Sequence, residues 1–159
     1  MMKYLFFSLL LVQLSACGFH LADQGEFSPQ LNHTYVQAPA VNKQLVQSIE
    51  KNIRANGLNV AASEEATAIL HVLNEEKEKS VLTLDNDGKV REYELLLKVA
   101  FEVRGSDKSI LLNKQSIELS RDFVFDKSDL LGANEEEQDL FNEMRNDVAR
   151  LIIYRLQTI

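Results

Sequence analysis

The sequence predicts an α+β fold: an antiparallel sheet of about four strands with two amphipathic helices packed on one of its faces. Three observations carry this. Apolar and polar residues alternate from Arg91 to Val103 and again from Leu111 to Phe125, the period of strands covered on one side. Two further stretches, 43–54 and 135–156, repeat apolar residues at helical spacing. Asn86-Asp87-Gly88 precedes the first alternating run and is a strong hairpin signal, because Asp-Gly tolerates the positive φ that such turns need.

Taken in order, Leu31 to Gln37 reads as a first short strand around Tyr35 and Val36. Pro39 and Asn42 then set up a helix in which Leu45, Ile49 and Ile53 recur four apart, with Lys43, Gln47, Glu50, Lys51 and Arg54 toward water. Gly57 is its natural stop, since glycine takes the left-handed conformation without strain. Leu58 to Val60 fits either a brief strand or a plain return. Ile69 to Leu73 opens the next strand, which passes through Glu75-Glu76-Lys77-Glu78-Lys79, read as a solvated or edge-protecting surface, before Val81 to Leu84.

In the strand after the turn, Arg91, Tyr93, Leu95, Leu97, Val99, Phe101 and Val103 share one face, and Glu92, Glu94, Leu96, Lys98, Ala100 and Glu102 the other. The next strand sets Ile117, Leu119, Phe123 and Phe125 against Lys114, Ser116, Glu118, Ser120 and Asp122. For the closing helix Asn134 is the expected N-cap, and Glu135, Glu136 and Glu137 suit the positive end of its dipole. Its apolar stripe is Leu140, Phe141, Met144, Val148, Leu151, Ile152 and Leu156, with Arg150 and Arg155 near the negative end.

Ahead of all this lies a leader. Lys3, an apolar run from Tyr4 to Val12 and small residues before a cut site are the parts of a secretory signal peptide. The run is shorter than the roughly 20 residues needed to span a bilayer. Leu14-Ser15-Ala16-Cys17 looks like a bacterial lipobox, in which cleavage precedes the cysteine and acyl chains are attached to it. One chain anchors only marginally at ~0.8 kcal/mol per buried CH₂, and two or more hold stably. Gly18 follows, where an aspartate would mark inner-membrane retention, so Cys17 is expected to tether the protein to an outer membrane, facing the periplasm. The expected organisation is a cleaved signal at 1–16, a lipidated tether at 17–30 and one domain at 31–159. No core residue is read in the leader, so a chain started at Asn32 is expected to fold.

The 159 residues are 45% hydrophobic and 26% charged, with a formal net charge of −7. That suits one ordinary core, and a chain this acidic is a poor binder of nucleic acid or of a polybasic-seeking membrane surface. With its single cysteine acylated, the mature domain has no disulfide and depends on packing.

Little suggests catalysis. The six glycines form no phosphate loop and no nucleophile elbow, and His20, His33 and His71 lack zinc-ligand spacing, so no metal or cofactor is expected. Glu92 and Glu94 share a strand face with carboxyls roughly 7 Å apart, near the separation of inverting glycosidases. Such work needs a cleft and a raised pKa, and a wet strand face accounts for both residues. The protein is read as a non-enzyme.

Several stretches, in order, resemble the LPS-assembly lipoprotein LptE family. Cys17-Gly18-Phe19-His20-Leu21 is similar to the family's opening; Gly88 with Glu92-Tyr93 matches its hairpin and central strand. Arg121 to Phe125, Glu137-Gln138-Asp139, Met144 and Arg155-Leu156 resemble its last strand and closing helix. The resemblance implies a plug inside the outer-membrane β-barrel LptD, helping it assemble and deliver lipopolysaccharide to the outer leaflet. An acylated domain with one polar sheet face suits a polar barrel lumen. The family's basic lipopolysaccharide contacts are replaced here by Asp85-Asn86-Asp87 and Asn134-Glu135, and Lys89 and Arg91 are the nearby candidates to take over that contact. A periplasmic lipoprotein of another kind, a barrel-assembly accessory or secretion pilotin with no lipopolysaccharide role, shares the anchor, size and acidity and is the competing reading.

Overall fold

The computed structural model describes residues 27–125, 128 and 130–159. Its elements are β1 (His33–Gln37), α1 (Lys43–Ala55), β2 (Asn59–Val60), β3 (Ala68–Leu84), β4 (Val90–Gly105), β5 (Ile110–Val124) and α2 (Leu130–Leu156). The five strands lie in the order β2-β1-β3-β4-β5. The α+β sandwich expected from the sequence is present, with one strand more and a mixed sheet. β1 runs parallel to both β2 and β3, while β3, β4 and β5 form an antiparallel meander. Parallel pairing needs a crossover, and α1 supplies the one between β1 and its neighbours.

β4 is the centre of the core. Leu95, Leu97, Val99, Phe101 and Val103 are all fully buried, as their alternation predicts. Above them pack Leu45, Ile49 and Ile53 of α1 and Phe141, Met144, Val148 and Ile152 of α2. The Asn42 side chain accepts from the backbone N–H of Gln44 at 2.8 Å, capping α1. At the other end Gly57 (φ +79°) sits between two reverse bonds, Leu58 N to Ile53 O at 3.2 Å and Gly57 N to Arg54 O at 3.1 Å. That pattern is a Schellman stop, with Leu58 buried beside it.

Four expectations need correcting. Leu31 is not in a strand: Pro29–Leu31 is a 3-10 turn, favoured by a proline whose fixed φ suits a first helical position, and β1 begins at His33. Leu31 is also fully buried, and Phe27 packs on the same cluster. A chain started at Asn32 therefore lacks a core side chain whose loss costs about 2–5 kcal/mol, and the expectation that it folds unharmed is withdrawn.

The second correction concerns Glu75 to Lys79. The β3–β4 register shifts between Val72 and Asn74, so Leu73 is a bulge and the strand's parity flips. Ala68, Leu70 and Val72 point into the core before it; Glu75, Lys77 and Lys79 point to the helix side after it, opposite Val99, Leu97 and Leu95. The correction falls on Glu75, whose side chain is 5% exposed, whereas Glu76 to Lys79 stay exposed as a solvated or edge-protecting run would.

Third, α2 starts at Leu130, a full turn before the expected cap at Asn134, and its first turn holds no acidic residue. The extra turn seats Ala133 in the core, a contact invisible to capping rules. Fourth, Leu151 stands 40% exposed, and Ala149 and Ile153 take the inward positions instead.

Candidate functional site

The chain enters the fold at one end of the sheet and turns back at the other. Phe27 and the Pro29–Leu31 turn lie where β3 begins and β4 ends, since Thr67 Oγ1 donates to Gln30 O at 2.7 Å and Ser106 N donates to Thr67 O at 3.0 Å. The β3–β4 turn is the far end, about 50 Å away for strands of this length at ~3.3 Å per residue. Cys17 lies outside the described residues; the described chain that follows it joins the sheet at the near end.

The far end is built by Asp85. Its carboxylate Oδ1 accepts from the backbone N–H groups of Asp87 at 3.0 Å and Lys89 at 2.8 Å. Asp85 N donates to Lys89 O at 2.7 Å, and Gly88 N to Asp85 O at 3.0 Å, with Gly88 at φ +73°. The turn is therefore a three-residue loop with glycine at the left-handed position, close to the tight Asp-Gly turn the sequence suggested. Lys89 and Arg91 follow it two apart, at the start of β4, and are both exposed. Neither side chain has an ion pair or hydrogen bond among the described residues.

Acidic Asp85 and Asp87 share this turn, and several apolar side chains of the sheet and of α2 are also exposed. Val81, Leu82 and Leu84 of β3, Val124 of β5 and Leu130 and Leu131 of α2 are 45–79% exposed. The rings of Tyr93, Phe123 and Phe125 meet at centroid distances of 5.5 to 6.4 Å. Lys79 Nζ lies 4.2 Å from the Tyr93 centroid, 5.2 Å from Phe123 and 5.8 Å from Phe125, and donates to Glu137 Oε2 at 2.5 Å. A cation held by three π faces and one carboxylate pins the tip of the sheet to α2. Sequence reasoning missed Lys79 because the bulge that turns it inward leaves no mark in a run of alternating charges.

The open face is polar, as expected. Lys98 pairs with Glu118 at 3.5 Å and Arg104 with Glu102 at 2.7 Å. Glu92 accepts from the Thr83 hydroxyl at 2.6 Å, a cross-strand bond that gives this carboxylate a structural role beside Glu94. Among the described residues no three His, Cys, Asp or Glu side chains gather as a metal site.

The chain matches a known family model, LptE (Lipopolysaccharide-assembly), over residues 31–156. The chain belongs to the LptE family. It is 25% identical to the LPS-assembly lipoprotein LptE of Photorhabdus laumondii over 158 residues, covering 98% of this chain and 85% of that one. The protein of the same name from Pectobacterium atrosepticum is 26% identical over 165 residues, covering 99% and 88%. Among solved structures, the uncharacterized lipoprotein B of Nitrosomonas europaea superposes with a TM-score of 0.69 at 28% identity, covering 88% of each chain. The rare lipoprotein B of Shewanella oneidensis gives 0.68 at 27% identity, covering 80% of this chain and 95% of that one. The LptE family resemblance read from the sequence therefore holds, as does the fold it implied. LptE is a family of lipopolysaccharide assembly, which agrees with the non-enzyme reading.

Proposed function

We propose that this protein is an outer-membrane lipoprotein, anchored on the periplasmic side by acyl chains on Cys17, that plugs and helps assemble an LptD β-barrel and supports lipopolysaccharide insertion into the outer leaflet. The family match over residues 31–156 is the observation that carries this. The two-ended geometry supports it: the described chain nearest Cys17 enters at one end, and the turn that carries Lys89 and Arg91 stands at the other. Lipopolysaccharide combines phosphates with acyl chains, so Lys89 and Arg91, which flank Val90 where it pairs with the exposed Leu84, offer both kinds of contact. The sheet's open polar face suits the wall of a polar lumen.

Cys17→Ser is expected to abolish acylation and leave the signal uncut by the lipoprotein peptidase. Acyl label on that variant would remove the anchor from the reading. From detergent-solubilised membranes the wild type should bring down the LptD barrel, and the complex should survive moderate salt, which screens only exposed pairs. A different barrel in its place would favour a pilotin or assembly accessory.

Lys89→Glu with Arg91→Glu is expected to weaken lipopolysaccharide binding on the order of tenfold while the barrel complex still forms, as two reversed surface charges would. Unchanged binding in a correctly assembled double variant would leave a plug with no ligand contact at this turn.

A further inference from the structure

We propose that the free edge of β5 receives an extended strand from a partner polypeptide, one that alternates apolar residues with lysine or arginine. Among the described residues the sheet has two long unpaired edges beyond β1, and they differ. β1 covers β3 only from Ala68 to His71. The rest of that edge carries the bulge at Leu73 and five consecutive charged residues, Glu75 to Lys79, which are devices that resist strand addition. Among the described residues β5 is paired to β4 alone, and it stays in unbroken register from Gln115 to Val124.

The direction of its free backbone groups follows from one bond. Phe125 N donates to Arg91 O at 2.9 Å, so in this register the odd residues of β5 are bonded inward to β4. The N–H and C=O groups of Ser116, Glu118, Ser120 and Asp122 therefore point out from the edge. Their side chains stand on the open face, where Glu118 and Asp122 are both exposed and acidic. An added strand would set every second side chain beside these carboxylates, which selects lysine or arginine there.

Its other side chains would fall on the helix side. There the edge borders a groove of about 360 Å³ between β5 and α2, lined by Leu119, Ser120, Arg121, Asp122, Leu140 and Asp147. Leu119 and Leu140 give it an apolar wall, and the one inward charge of the strand, Arg121, is already held by Asp147 at 2.7 Å. Backbone pairing supplies affinity, and the groove and the carboxylates supply the alternation. This pairing does not require the barrel: a monomer that binds no barrel still presents the same edge.

The probe is an end-capped peptide of alternating lysine and valine, titrated into the full-length lipoprotein in detergent micelles and compared with empty micelles. It should bind the protein, while a scrambled peptide of the same composition should bind about tenfold more weakly. Ser120→Pro removes an outward N–H without touching the β4 ladder and should weaken binding about tenfold at unchanged melting temperature. Glu118→Lys with Asp122→Lys should weaken it similarly and shift preference to a glutamate–valine peptide, whereas Glu78→Lys, two strands away, should change nothing. Equal binding of the two lysine peptides, or a folded Ser120→Pro variant that binds like wild type, would overturn the assignment. So would a self-associated protein whose dimer is lost in Ser120→Pro, since the edge would then belong to a second copy.

Discussion

Leu97→Asp is expected to unfold the domain. Leu97 sits at the middle of the central strand, fully buried, flanked across the sheet by Lys77 and Leu119 and roofed by the helices. Burying Leu97 contributes about 2–3 kcal/mol, and an aspartate there would be a carboxylate with no designed partner, adding several more. Against a total stability of roughly 5–15 kcal/mol the sum leaves little folded protein. Glu94→Lys is the matching change on the open face, opposite Asp122, and should stay within about 0.5 kcal/mol of wild type. Thermal melts followed by circular dichroism decide it: comparable losses in the two variants would mean that the faces of β4 are assigned the wrong way round.

Arg145→Ala should be the next most damaging change. Arg145 and Glu75 are 2% and 5% exposed and meet at 2.7 Å between α2 and β3. Arg145 also donates to Asn142 Oδ1 at 2.8 Å, and Glu75 Oε2 accepts from the backbone N–H of Asn42, the cap of α1, at 2.7 Å. One carboxylate thus fixes both helices to the bulged strand. Removing the arginine strands a buried charge, which costs about 3–5 kcal/mol. Glu75→Leu combined with Arg145→Met should recover most of that loss, because an apolar pair of similar size carries no desolvation penalty. Recovery should remain incomplete, since the Asn42 N–H loses its acceptor. Urea midpoints of the single and double variants measure this, and a loss below about 1 kcal/mol in Arg145→Ala would show that water already solvates the pair.

The parts of the fold legible in the sequence are those set by local pattern. The alternation along β4, the Asp-Gly turn and the four-residue recurrence in α1 each carry their own signal, and each is where the sequence placed it. The parts that escaped depend on a partner. A single extra residue at Leu73 reverses which charges of β3 face inward, and nothing around Leu73 announces it. The parallel pairing of β1 with β3 joins residues more than thirty apart. The same division holds at the tip. Lys89 and Arg91 could be placed there because the turn beside them is local. The aromatic cradle of Lys79 could not, since its rings come from two other strands.

The order of elements along the chain has a consequence for biogenesis. The inner face of β4 is closed largely by α2, which is made after every strand of the sheet. A chain emerging N-terminus first can zip β3, β4 and β5 through two short turns, so the meander is quick to form. Until α2 arrives, that meander shows water a continuous patch of Leu95, Leu97, Val99, Phe101 and Val103, with one long unguarded edge at β5. The interval between the two events is when aggregation competes, and it lengthens with any delay in delivering the last helix. A holdase that grips extended apolar strands would act in that interval, and its hold would end when Met144 and Ile152 settle onto the sheet.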